Sequence, residues 1–331
     1  MAKKRKIASR IIIWAAVLAF VVWLILFGGR YLIFDAVMGI GYEPSSEITS
    51  ISESLTLTDR ASFILRGTRA EVQDAEAFNE SCATQAESSS TLGCYNGGKI
   101  YIYNINHSEL SGVKESIMAH ELLHAVWGRT LAWDRAALES DMRQAYEENR
   151  DILEEYMSLY DDQDFLDELH SRLGTQIEPS KLSKKLQDHY AQYFSNPQKV
   201  YEYYTSYNNT FVALRKESED LYKKIEELRP EIEEKRSSYE AASKSLNDDI
   251  DTFNQRANNG YYTGNQAGFD ADRQGLIVRQ KDISKRYQEL TDLITEINGY
   301  IDRYNANILH AGELHQVMDS NAAPKIDKIE I

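Results

Sequence analysis

His120-Glu121-Leu122-Leu123-His124, inside the run Ser116-Ile117-Met118-Ala119-His120-Glu121-Leu122-Leu123-His124-Ala125-Val126-Trp127, is the stretch around which the rest of the chain can be read. On a helix, residues four apart share a face, so His120 and His124 can both reach one Zn²⁺ at about 2.0–2.1 Å. Glu121 then stands beside the metal without ligating it, placed to take a proton from a zinc-bound water. Ile117, Met118, Leu122, Leu123, Ala125, Val126 and Trp127 are uncharged. So apolar a helix belongs in a core, where two histidines and a glutamate need a partner, and a metal would be one.

Including its uncharged positions between and after the ligands, the stretch resembles the active-site helix of the zincin metallopeptidases. The resemblance is at motif level and extends over residues 90–195. It implies an α+β zincin-like catalytic domain with a short sheet and one catalytic Zn²⁺. A catalytic zinc takes three protein ligands and keeps an open position. The third histidine used by one zincin branch is absent: counted from His124, Trp127 and Thr130 stand where its glycine and histidine would fall, and Gly128 is followed by Leu131. The gluzincin branch instead takes a glutamate from a later helix. Asp164 to Gly174 carries Phe165, Leu166, Leu169 and Leu173 at helical spacing, with Gly174 as an expected C-cap. Within it, Glu168-Leu169-His170-Ser171 resembles the glutamate-bearing gluzincin helix, so Glu168 is the expected third ligand. His170 is the alternative ligand, or a group that stabilises the developing oxyanion. His189 and Tyr190 lie in a further helical pattern and read as core.

Upstream, Gly97-Gly98-Lys99-Ile100-Tyr101-Ile102-Tyr103-Asn104-Ile105 is rich in β-branched and aromatic residues and reads as a strand opened by two glycines. The resemblance implies that Ile100, Tyr101, Ile102 and Tyr103 form the edge that grips an extended peptide through main-chain hydrogen bonds. An ordinary interior strand fits the same residues. Cys82 and Cys94, the chain's two cysteines, bracket a small-residue loop of a length that a disulfide could close in an oxidising compartment.

The 331 residues suffice for two domains, and 42% hydrophobic content permits a real core. The net charge of −15 argues against nucleic-acid binding. Five cationic residues crowd the first ten positions as a basic cytoplasmic tail over 1–9. The uncharged run Ile11 to Phe27 follows, and the expectation is a transmembrane helix over 10–33 in a lipid bilayer. No small-x-small cleavage site follows Phe27, which favours an uncleaved signal anchor over a cleaved signal peptide. By the positive-inside rule the N-terminus is then cytoplasmic and the bulk extracytoplasmic, a single-pass plasma-membrane topology. Residues 34–58 read as a juxtamembrane linker, and 59–205 as the peptidase domain.

From 206 to 312 the composition shifts to Glu, Lys, Ser and Leu. Ile225, Ile232, Tyr239, Leu246 and Phe253 recur every seven residues, and Ile283, Leu290, Ile297 and Tyr304 form a second such run. Ala257 to Asn265 is a natural reversal point, so an antiparallel coiled-coil hairpin is expected, with Pro230 kinking its first helix. Such an arm could pack on itself, recruit a coiled-coil partner or make a homodimer. Residues 313–331 read as a flexible tail.

The fold class expected is therefore mainly α. The activity expected is zinc-dependent endopeptidase hydrolysis of proteins or peptides, with Glu121 as general base. The alternative is a membrane-anchored coiled-coil scaffold or adaptor whose zincin-like domain binds metal without hydrolysis.

Overall fold

The computed structural model describes residues 12–23, 29–82, 92–160 and 164–320. These fall into a first unit, comprising residues up to Thr210 with those from Leu314 on, and a second unit, Phe211–Glu313. The architecture is mainly α, with one small sheet in the first unit.

The first unit opens with α1 (residues 12–23), α2 (Gly29–Met38), α3 (Ser46–Ser54) and α4 (Asp59–Thr68). Strand β1 (Glu71–Gln73), helix α5 (Ala75–Cys82) and the strands β2 (Gly93–Asn96) and β3 (Lys99–Tyr103) follow. Helices α6 (Val113–Arg129), α7 (Ala132–Glu148), α8 (Arg150–Met157), α9 (Phe165–Gln176) and α10 (Lys184–Tyr190) complete it, with the first turns of α11 (Pro197–Asn258). Pro197 opens α11, where its missing N–H costs no hydrogen bond.

Helix α6 runs through the core, its Met118, Ala119, Leu122, Leu123 and Ala125 wholly buried. Against it packs α9, through Leu169 and Leu173, also wholly buried. Gly174 is not the end of α9, which continues to Gln176. A Cβ there would lie 2.5 Å from Leu123 Cδ1 and 2.6 Å from Tyr190 Cε1, so the glycine is needed for close approach inside the helix.

The sheet order is β1-β3-β2, with β3 parallel to β1 and antiparallel to β2. Ile100 and Ile102 are buried while Tyr101 and Tyr103 are only partly so, the alternation expected of a strand with one face on a core. The expected substrate edge at Ile100, Tyr101, Ile102 and Tyr103 is thus corrected: β3 is the middle strand, and β2 is the edge nearer α6. Gly97 and Gly98, with φ of 59° and 84°, form the two-residue turn between β2 and β3. Positive φ at both turn positions is what a tight hairpin requires and glycine supplies. Cys82, the last residue of α5, is disulfide-bonded to Cys94 on β2.

The N-terminal expectation also needs correction. Among the described residues no helix is long and apolar enough to cross a membrane. Residues 24–28 and the basic tail 1–9 lie outside the described residues. Helix α2 is instead part of the folded unit: its Asp35, 2% exposed, accepts from Arg129 Nε at 2.8 Å and pairs with Nη2 at 2.5 Å. Residues 34–58 are correspondingly not a linker. Ser45 caps α3 by accepting from the Ile48 N–H, and Ile48, Ile51 and Leu55 are buried.

Arg129 also donates to Tyr95 Oη at 2.9 Å and to the Ala125 carbonyl at 2.8 Å, so one guanidinium ties α2, β2 and the end of α6 together. Asp35→Ala would leave that charge buried without its counter-ion, a loss of about 3–5 kcal/mol. Urea unfolding checks it: Asp35→Ala should be strongly destabilised, and Asp35→Leu with Arg129→Met should recover much of the loss. An Asp35→Ala protein as stable as wild type would remove the pair's structural role.

In the second unit α11 and α12 (Gln266–Met318) lie antiparallel. Ile225 and Ile232 cluster with Leu290 and Ile297, flanked by Tyr239, Ile294, Ile301 and Tyr304. Lys235 with Glu289, and Arg279 with Asp249, bridge the helices at positions that advance on one as they recede on the other. Helix α11 passes through Pro230 without ending, because apolar contacts at Ile225 and Ile232 hold both sides of the lost backbone bond. The C-terminal tail departs from expectation as well. Helix α12 continues to Met318, Leu314 is 1% exposed, and Asn79 Nδ2 donates to the Ser320 carbonyl at 2.8 Å. Residues 321–331 lie outside the described residues.

Candidate metal centre

Three side chains converge between α6 and α9: His120, His124 and Glu168. His120 and His124 stand one turn apart on α6, with their Nε2 atoms 3.0 Å from each other. From the facing helix, Glu168 Oε2 lies 3.3 Å from His124 Nε2 and 3.7 Å from His120 Nε2. Donors sharing one tetrahedral zinc-sized cation at 2.0–2.1 Å would be about 3.3–3.4 Å apart. The observed separations bracket that value, so the donor set fits a metal ion. Glu168 is 2% exposed.

The supporting residues fix how each ligand is presented. His124 Nδ1 is 2.8 Å from Asp167 Oδ1. A carboxylate there accepts a hydrogen bond from Nδ1–H, which keeps the proton on Nδ1 and leaves the Nε2 lone pair for the cluster, the second-sphere arrangement typical of metal-bound histidines. Arg172, one turn after Glu168, forms an ion pair with the other carboxylate oxygen, Nε 2.5 Å from Oε1 but out of line for a hydrogen bond, and stacks on the Tyr156 ring at 4.2 Å. Oε2 is thereby the oxygen turned to the histidines. Asp167 has no sequence pattern that sets it apart from its acidic neighbours, whereas Arg172 has one. Its spacing from Glu168, four residues on one helix face, is the signal that could have found it.

Charge states follow from these contacts. Burial lowers the pKa of His120, and the nearby Glu168 only partly offsets this. For His124 burial again acts downward, but the hydrogen bonds to Asp167 and Glu168 and the charges of Asp167 and Glu121 raise it well above the ordinary value. Glu168 is held far below the usual carboxylate range: burial opposes this, and His120, His124 and Arg172 overcome it. Both shifts favour the charged forms, the anion of Glu168 and the cation of His124.

Glu121 is 6% exposed and lies under β2. A Cβ at Gly93 would come within 3.0 Å of both its Cγ and its Oε1. The charge of Glu121 acts on His124, so the carboxylate is within electrostatic reach of the cluster.

His170 is not brought to the cluster. Its Nε2 is 2.8 Å from His189 Nε2, its ring packs on Trp127 at 4.9 Å, and Tyr190 Oη donates to its carbonyl at 2.8 Å. Burial, then His189, pushes its pKa well down. His189, 8% exposed, is lowered to about 4 by burial and then by Arg60. An unfolded histidine titrates near 6.5, so below that pH the unfolded chain takes up protons that the folded chain refuses. Stability present above about pH 6.5 should fall as the pH drops towards about 4, by up to about 1.4 kcal/mol per unit for each such histidine. His189→Gln should flatten the fall in urea unfolding measured across that window. Identical slopes in variant and wild type would place the effect elsewhere.

No family model, curated protein or solved structure matches this chain.

Proposed function

We propose that the chain is a zinc-dependent endopeptidase acting on extended protein or peptide segments. The observation that carries this is the convergence of His120 Nε2, His124 Nε2 and Glu168 Oε2 with Glu121 on the same turn of α6. Zinc bound there would supply a Lewis acid for a peptide carbonyl and activate water near neutral pH.

The chain's own residues divide the remaining work. His120 and His124 hold the ion through Nε2, with Asp167 keeping the His124 proton on Nδ1. Glu168 completes the set through Oε2, while Arg172 occupies Oε1. Glu121 takes a proton from the attacking water onto its carboxylate and returns it to the leaving amine. Peptide as the substrate class is supported by the pairing of the His120, His124 and Glu168 donor set with a carboxylate on the same turn, the combination that suits metal-assisted amide hydrolysis. An oxidising, extracytoplasmic setting is supported by the Cys82–Cys94 bridge.

Purified protein incubated with an unfolded protein substrate tests the reading. Cleavage should stop with a zinc chelator and return on adding zinc. Folded, zinc-loaded protein that cleaves none of a panel of unfolded proteins and peptides would contradict it.

A further inference from the structure

We infer that Gly93, held on β2 by the Cys82–Cys94 bridge, is the positioning residue for Glu121, and that reduction of this bridge switches the general base off while the metal ligands stay in place. The inference rests on the peptidase reading of the site.

Three observations carry it. First, Gly93 lies directly against the helix that bears the base. A Cβ at this position would be 2.3 Å from Ile117 Cγ2 and 3.0 Å from Glu121 Oε1, so the bare backbone of β2 forms one wall of the space that holds the carboxylate. Second, that wall is pinned one residue away. Cys94 is 1% exposed and bonded to Cys82 at the end of α5, while the side-chain ties of β2, Asn96 Nδ2 on the Ser81 carbonyl and Arg129 on Tyr95 Oη, hold the end of the strand farther from Gly93. Third, the ligands do not depend on the wall: His120 and His124 belong to α6 and Glu168 to α9, two helices packed directly on each other. Loosening β2 therefore removes a boundary of Glu121 and none of the metal donors.

The chemistry is thiol–disulfide exchange with a dithiol reductant. Cys82 is partly exposed while Cys94 is buried, so the attacking thiolate reaches Cys82 Sγ. A mixed disulfide forms there and Cys94 leaves as a thiolate that takes a proton. The reductant's second thiol then closes its own disulfide and frees Cys82. Two electrons pass to the protein and two cysteine thiols result. A carboxylate free to leave its catalytic orientation costs rate without weakening substrate binding, because misplacement of a reacting group acts on the chemical step.

The test compares full-length, zinc-loaded protein oxidised and after treatment with dithiothreitol, with mass spectrometry to show both thiols free. Reduction should lower kcat by about 10- to 100-fold, leave KM within about twofold and zinc content unchanged, and be reversed by reoxidation. Cys82→Ala with Cys94→Ala should have the low kcat without reductant and no further response to it. Gly93→Ala combined with Ile117→Ala, which relieves the closer clash and leaves the one with Glu121, should lower kcat with the bridge intact. An unchanged kcat after complete reduction overturns the inference. So does a loss that parallels zinc or folded fraction, which would make the bridge a brace. If the oxidised protein hydrolyses nothing, the peptidase reading itself has failed, and the ¹³C resonance of the Glu121 carboxyl, assigned with Glu121→Gln, decides the positioning separately. A shift on reduction at fixed pH upholds it, and none overturns it.

Discussion

Replacing Glu121 with glutamine is expected to lower kcat by about 10²–10⁴-fold while the protein keeps its zinc. Glutamine has nearly the same volume and fits under Gly93, so α6 and β2 need not move. What disappears is a group able to accept a proton from water and hand it to the departing amine. Zinc binding should survive because Glu121 is outside the three-residue cluster. Paired measurements of kcat and zinc content check this. A variant that retains full activity would show that the proton is handled elsewhere, and one that loses zinc would show that Glu121 is a ligand.

Glu168→Gln acts on the other half of the site and should weaken zinc binding by more than the roughly 10- to 100-fold that loss of an outer-sphere partner costs. The amide carries no charge to offset the cation and presents a weaker donor at Oε2's place. Glutamine is the informative change because its side-chain oxygen still faces Arg172, which is 13% exposed, where alanine would offer it nothing. Glu168→Ala would leave that guanidinium without its carboxylate and cost about 3–5 kcal/mol of stability, confusing folding with binding. Asp167→Asn, which weakens only the hold on His124 Nδ1, should fall within the outer-sphere range. Chelator competition orders the three proteins. Glu168→Gln binding as tightly as wild type would exclude the carboxylate as a ligand.

Local periodicity explains what could be read from the sequence. His120, Glu121 and His124 are fixed by helical spacing alone, and α6 forms where its apolar run predicts. The Glu168 helix was legible for the same reason, as were the heptads that bring Ile225 and Ile232 against Leu290 and Ile297. Contacts between distant elements were not legible. The Asp35–Arg129 pair spans 94 residues and has no sequence pattern, yet it makes α2 part of the folded unit where residues from 34 on read as a linker. Strand β2, Gly93-Cys94-Tyr95-Asn96, lacks the β-branched residues that mark strands, and without it Gly97-Gly98 read as a strand opening instead of a turn. Gly174 read as a cap because glycine is common there, whereas its use is to let α6 and α9 approach.

The most direct measurement is an anomalous difference map at the zinc edge from crystals of the zinc-loaded protein. The expected result is a single peak between α6 and α9, at about 2.0–2.2 Å from His120 Nε2, His124 Nε2 and Glu168 Oε2. Folded protein crystallised with saturating zinc and showing no peak among those three atoms would contradict the metal centre, and with it the peptidase.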